Sequence, residues 1–126
     1  MELDVQAMVD ERFDEAFWKA IDSLVTASRV VIDRPKGSCH PRFPSLIYPL
    51  DYGYLEGTTS MDGGGIDIWV GSIRSQEVVA AMCTVDLKKR DSEVKILIGC
   101  TTDEMELVRE FHNQGMHMKG ILIRRS

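Results

Sequence analysis

The residues best suited to chemistry lie in two adjoining runs, Tyr48-Pro49-Leu50-Asp51-Tyr52-Gly53-Tyr54 and Asp62-Gly63-Gly64-Gly65-Ile66-Asp67. In the second run, consecutive glycines allow a tight turn that includes positive φ. Such a turn can bring the Asp62 and Asp67 carboxylates toward one point. Converging carboxylates repel unless positive charge lies between them. A hard divalent cation with oxygen ligands supplies that charge, and Mg²⁺ is the usual one beside phosphate. The same letters also read as a flexible polar turn followed by a strand-start aspartate. Glu93 and Lys95 lie two residues apart in an extended segment, so they face one side. On the mouth of a barrel, Glu93 would complete a carboxylate trio and Lys95 would meet a metal-held anion. Asp91 is a further carboxylate within reach. Away from such a mouth, the pair is a surface ion pair of little energetic weight.

A second set is cationic. The segment Pro35 to Pro44 carries Lys36, His40 and Arg42, with Arg34 just before it. Cations on a proline-stiffened loop can bind phosphate, and a solvated basic loop is the plainer alternative. Tyr48, Tyr52 and Tyr54 are evenly spaced. If extended, they share one side and can offer hydroxyls to carboxylate or phosphate oxygens, or form an aromatic core row. His112, beside Phe111, and His117 read as residues without a functional part.

Positioning these groups falls to a short series of elements. Residues 10–26 read as an amphipathic helix, with Phe13, Phe17, Ile21 and Leu24 at spacings of three and four and Trp18 and Val25 widening the stripe. Core packing is expected of these aromatics. Strands are expected at 29–33, 46–55 (interrupted at Pro49 and Gly53), 66–70, 77–85 and 93–100. In the 66–70 strand, Ile66, Ile68 and Val70 alternate against Asp67 and Trp69. Thr101 with Glu104 forms a capping box for a second helix, which Gly115 ends. A last strand covers 118–125. The order lacks a βαβ rhythm and predicts a small antiparallel or mixed barrel in a single domain. The barrel spans 29–100, between a helix at 10–26 and a helix and strand at 102–125.

The chain has 126 residues, of which 44% are hydrophobic and 28% charged, with a formal net charge of −5. That charge argues against a broad nucleic-acid partner, which needs a basic field. The three cysteines, Cys39, Cys83 and Cys100, form no CxxC pair and read as reduced thiols of a cytoplasmic protein. The N-terminal segment, with Glu2, Asp4, Asp10, Glu11 and Asp14 against Arg12, is unlike a signal peptide. No apolar run approaches membrane-spanning length.

The run from Tyr48 through Thr58 to Asp62 and Asp67 is similar to the signature region of soluble family I inorganic pyrophosphatases. Val31 to Ser38 resembles the opening strand and basic loop of that family. Arg90 to Lys95 resembles its later acidic stretch, which ends in a phosphate-binding lysine. The resemblance covers Val30 to Lys95 and implies a five-stranded OB-like barrel with flanking helices, working as a homo-oligomer. It implies Mg²⁺ as cofactor, with Asp62, Asp67 and Glu93 as metal ligands and Asp91 as a substitute ligand. It implies Tyr48, Lys36, Arg42 and Lys95 as substrate-binding residues, and places Tyr52 with Asp62 and Asp67 at the catalytic centre. Asp33 matches the acidic residue of the opening strand.

The departures are specific. Gly64 stands where the family has the aspartate that helps deprotonate the nucleophilic water. Lys88 stands at a further metal-binding aspartate, and His112 and Asn113 replace a tyrosine-lysine pair. Asp33 to Pro41 fits the Asp-Arg-Pro-x-Gly-Ser-x-His-Pro pattern of a shorter pyrophosphatase-like branch. Two expectations follow. One is Mg²⁺-dependent hydrolysis of pyrophosphate or a related phosphoanhydride, slowed by loss of the base, which costs about 10²–10⁴-fold. The other is a catalytically impaired module of the same fold that binds Mg²⁺ and a phosphate-bearing ligand. A third reading, an OB barrel on single-stranded nucleic acid, conflicts with the acidic charge.

Overall fold

The computed structural model describes residues 4–126. Its framework is helix α1 (Val5–Thr26), strands β1 (Arg29–Arg34), β2 (Asp51–Glu56), β3 (Ile66–Val70), β4 (Val78–Asp86) and β5 (Asp91–Ile98), helix α2 (Thr102–Phe111) and strand β6 (Met118–Arg124). The strands form one six-stranded sheet in the order β1-β2-β3-β5-β4-β6. All neighbours are antiparallel except β3 and β5. The fold is therefore mainly β with two flanking helices. The expected closed five-stranded barrel is not what the hydrogen bonds describe: β1 and β6 are the two ends of an open sheet.

Strand alternation gives the sheet two apolar faces. On one, Trp69, Leu97, Ala80 and Met82 pack with Tyr48, Leu50 and Val108. Val108 of α2 is fully buried there. On the other, Leu55, Ile68, Ile96 and Ile98 pack against Trp18 of α1, with Ile21, Leu24 and Val25 beside them. Each face thus takes one helix, which removes its apolar stripe from water.

The helix ends follow from local chemistry. α1 starts five residues before the expected Asp10 because Asp4 caps it, its carboxylate accepting from the Ala7 amide at 3.1 Å. Phe13 and Phe17 do not enter the core as expected; they are 68% and 48% exposed. The C-terminal half of α1 is fastened to the sheet. There Arg125 donates to both Asp22 oxygens, at 2.7 and 2.8 Å, and lies over the Trp18 ring. The predicted capping box of α2 is present: Thr101 Oγ1 accepts from the Glu104 amide, and Glu104 Oε1 accepts from the Thr101 amide. α2 ends at Phe111, before Gly115, with His112 as its cap. The strand expected at 46–55 begins only at Asp51. The segment before it is a loop pinned by a Cys39–Ile47 bridge.

Candidate functional site

Three adjacent strands build the site. Lys95 on β5 is 4% exposed. Its ammonium donates to Asp67 Oδ2 of β3 at 2.7 Å, to Tyr52 Oη of β2 at 2.9 Å and to Glu93 Oε2 of its own strand at 3.1 Å. All three N–H groups of the lysine are therefore satisfied by protein. Register explains the meeting. Tyr52 pairs with Trp69, two residues from Asp67, and Ile68 pairs with Ile96, which sets Asp67 beside Lys95. Glu93 and Lys95 share a side because the strand has period two.

Electrostatics agree with this geometry. Burial alone would depress the Lys95 ammonium, but Tyr52 and Asp67 outweigh it and hold its pKa above the ordinary value. Burial pushes the Tyr52 hydroxyl well above the usual phenol range, so it stays protonated. Burial also raises the Glu93 carboxyl, against the pull of Lys95. A buried ion pair keeps its charges only when hydrogen bonds satisfy them, as here.

An aromatic wall stands behind these groups. The Tyr52 ring lies 4.6 Å from Trp69 and 5.3 Å from Tyr48. Tyr48 itself is buried and touches Phe111. Its backbone is held by Gly37 and Ser38, whose loop is in turn pinned by the Lys36 amide donating to Asp51 Oδ1. Tyr54 follows Tyr52 on the same side of β2 and pairs with Asp67.

The rim is cationic. Burial lowers the pKa of His40, and the positive charges of Arg34, Lys89 and Arg42 lower it further. Burial raises Tyr48, while Arg34 opposes the shift from beside its hydroxyl. Lys36 and Arg42 are exposed, and the His40 ring accepts from the Arg42 and Phe43 amides. Asp33 is exposed where the β1–β2 register slips.

The acidic residues divide. Asp67 and Glu93 converge on Lys95. Asp62 instead closes its own turn, accepting from Ser60 Oγ at 2.8 Å and the Gly64 amide at 2.9 Å, with Gly63 at φ 84°. Those bonds, the Gly64 amide first, hold its carboxyl below the usual range. Asp91 lies opposite Asp86 at the start of β5 and lines a separate shallow pocket with Arg90 and Ser92. Among the described residues, no group of three or more metal-ligating side chains is gathered. The trio Asp62, Asp67 and Glu93 is therefore not assembled, because a lysine stands between two of its members and a turn holds the third. Two carboxylates at one point still fit Mg²⁺ shared with a phosphate ligand, a mode that needs only one or two protein carboxylates.

Two replaced positions have structural work. His112 is buried and its Nε2 accepts from Trp69 Nε1 at 3.0 Å. Asn113 clamps β6 through both the amide and carbonyl of Gly120. Neither is free to hold a phosphate. Lys89 went unremarked in the sequence because it sits in a run of charges typical of an exposed turn. Trp69 had a signal, since it alternates on the same side as Asp67.

No protein-family model and no curated protein matches the sequence. Solved structures match the fold. A crystal structure titled inorganic phosphatase from Anaplasma phagocytophilum superposes with a TM-score of 0.52 at 14% identity, covering 75% of this chain and 81% of that one. The inorganic pyrophosphatase of Helicobacter pylori gives 0.51 at 13% identity with the same coverage. The chain has a pyrophosphatase-like fold. No helix among the described residues is long and apolar enough to cross a membrane.

Proposed function

We propose that this chain binds pyrophosphate or a related phosphoanhydride over the Tyr52–Lys95 cluster and hydrolyses it slowly with Mg²⁺. One observation carries the reading: a buried lysine joins two carboxylates and a tyrosine on a pyrophosphatase-like fold, below a rim of Arg34, Arg42 and Lys89. The rim attracts the anion, and a phosphate oxygen would displace one of the three acceptors that Lys95 now holds. Asp67 and Glu93 would hold Mg²⁺, with Asp62 reaching in from its turn. Bound there, the metal neutralises phosphoryl charge and acidifies water. Three free cysteines suit a reducing, cytoplasmic setting.

A second reading is favoured by Gly64 and by the engagement of both carboxylates with Lys95: a module that binds the phosphate ligand without turning it over. Phosphate release from pyrophosphate and a nucleotide panel, with Mg²⁺ and with Asp67→Asn as blank, separates them. Release above the blank supports hydrolysis. Calorimetric binding of pyrophosphate without release supports the module. Absence of both binding and release overturns both.

A further inference from the structure

One histidine nitrogen closes the tip of the loop between β1 and β2. Pro41 and Pro44 have no amide hydrogen, so Arg42 and Phe43 carry the backbone N–H groups of that tip. Both donate to His40 Nδ1, at 3.0 and 3.2 Å. A ring nitrogen that accepts two N–H groups holds a lone pair and no proton, so the neutral ring carries its hydrogen on Nε2. The His40 backbone is fixed as well. Its amide donates to the Leu46 carbonyl, and the Leu46 amide donates to the Phe43 carbonyl.

The same ring lies between the exposed tip and the buried cluster. On one side is Phe43, 5.2 Å away and exposed, with the exposed Arg42 next to it. On the other side His40 stacks on Tyr48, at 6.2 Å and 7° from parallel. Tyr48 in turn meets Tyr52, whose hydroxyl accepts from Lys95. The charges that act on the ring are Arg34 at the end of β1, Lys89 in the turn between β4 and β5, and Arg42 of its own loop. All three are positive, and burial keeps the Tyr48 hydroxyl neutral.

We propose that His40 is a positioning residue: its neutral ring latches the turn that presents Arg42, and protonation at Nδ1 opens that turn and weakens phosphate binding. The inference rests on the phosphoanhydride reading of the site. An imidazolium donates from both nitrogens, so its Nδ1 faces two amides that it can no longer accept from. The turn must rearrange, and Arg42 and Phe43 move with it. Burial and the three cations favour the neutral ring, so the latch stays closed at neutral pH and opens below the range of a free histidine. The sign of the effect separates a latch from a direct contact. A histidine that held phosphate as a cation would raise affinity toward acid. A latch lowers it, by up to about tenfold per pH unit below the pKa of the ring, because only the latched fraction binds.

Nitrogen-15 NMR of the full chain without ligand reads the latch itself. The expected result at pH 7.5 is a neutral His40 ring with its hydrogen on Nε2. On acidification the Arg42 and Phe43 amide signals should shift with the same midpoint as the ring, below about 6.5. A proton on Nδ1 at pH 7.5, or amides that do not follow the ring, overturns the proposal. Calorimetric titration with pyrophosphate at pH 7.5 and pH 5 reads the effect on the site, for the parent, His40→Asn and His40→Leu. Asparagine keeps an oxygen that accepts from the amide two residues on, and it does not titrate; leucine keeps no acceptor. The parent should lose more affinity toward pH 5 than either variant, and His40→Asn should bind more tightly than His40→Leu at pH 7.5. Protonation of pyrophosphate and of His112 acts on all three proteins alike and cancels from the comparison. Equal pH dependence in the parent and His40→Asn overturns the proposal, as does tighter binding by the parent at pH 5 than at pH 7.5. If the parent binds no pyrophosphate at pH 7.5, the functional reading fails, and the NMR result alone decides whether the latch exists.

Discussion

Lys95 and Asp67 meet at 2.7 Å on neighbouring parallel strands, and the lysine is only 4% exposed. The contact ties the centre of the sheet to the candidate chemistry. The ammonium proposed to meet the ligand also neutralises two carboxylates that would otherwise repel.

Lys95→Met tests that dual role. Removing one member of a buried pair strands its charge and costs about 3–5 kcal/mol. Urea denaturation should show a loss of that order, and adding Asp67→Asn should recover part of it. Millimolar Mg²⁺ should raise the midpoint of Lys95→Met more than that of the parent. Equal stability of parent and Lys95→Met would mean that the buried cluster does not form.

Gly64→Asp tests the hydrolytic reading. A Cβ at Gly64 would sit 3.3 Å from Asp62 Oδ1, so a small shift of that side chain admits it. The new carboxylate then stands beside Asp62, where only a cation makes the pair tolerable. Mg²⁺-dependent phosphate release should rise, by up to the ~10²–10⁴-fold that a general base supplies. An unchanged rate, with pyrophosphate still bound, would favour the binding module.

Strand periodicity made part of this site legible. It set Glu93 with Lys95 and Asp67 with Trp69, because alternate residues share a face. It could not show that Lys95 would bond to both Asp67 and Glu93, since that depends on β3 pairing with β5, a contact across the whole of β4. Closure of the sheet is likewise non-local: β1 and β6 each look like an ordinary strand whether or not they pair. In α1 the spacing identified an apolar stripe, but a stripe does not say what covers it, and Phe13 and Phe17 stay largely exposed. The start of α1 was missed because its cap, Asp4, lies upstream of the first clear periodicity.

His112 should make the fold acid-sensitive. Burial, with a smaller push from the Lys95 charge, lowers its pKa to about 3. In the unfolded chain it titrates near the ordinary value of ~6.5. Below that pH the unfolded state takes up a proton that the native state refuses, so stability falls as pH drops from about 6.5 toward 3. At about 1.36 kcal/mol per unit, the full loss is on the order of 5 kcal/mol. His112→Phe gives up the Trp69 hydrogen bond, costing about 1–3 kcal/mol at neutral pH, but its stability should depend less on pH. Urea midpoints at pH 7 and pH 4.5 for both proteins check this. Parallel declines would exclude His112 as the source.

Gly53→Ala tests how the edge strand holds the site. Gly53 lies mid-β2 opposite Ile32, and a Cβ there would come within 1.8 Å of the Val31 carbonyl oxygen. That atom is backbone, so no rotamer change relieves the overlap. Either β1 withdraws from β2 or the strand unpairs. Overpacking of this kind costs about 1–3 kcal/mol, and more where only backbone can move. Displacement of β1 moves Arg34 away from Tyr48, and any shift of β2 moves Tyr52 away from Lys95. The variant should therefore lose stability and pyrophosphate affinity together, read by urea denaturation and calorimetry. A strand-interior Gly→Ala change elsewhere would alter stability by only about 1 kcal/mol, and in the favourable direction. An effect that small at Gly53 would show that β1 and β2 do not approach as closely as described.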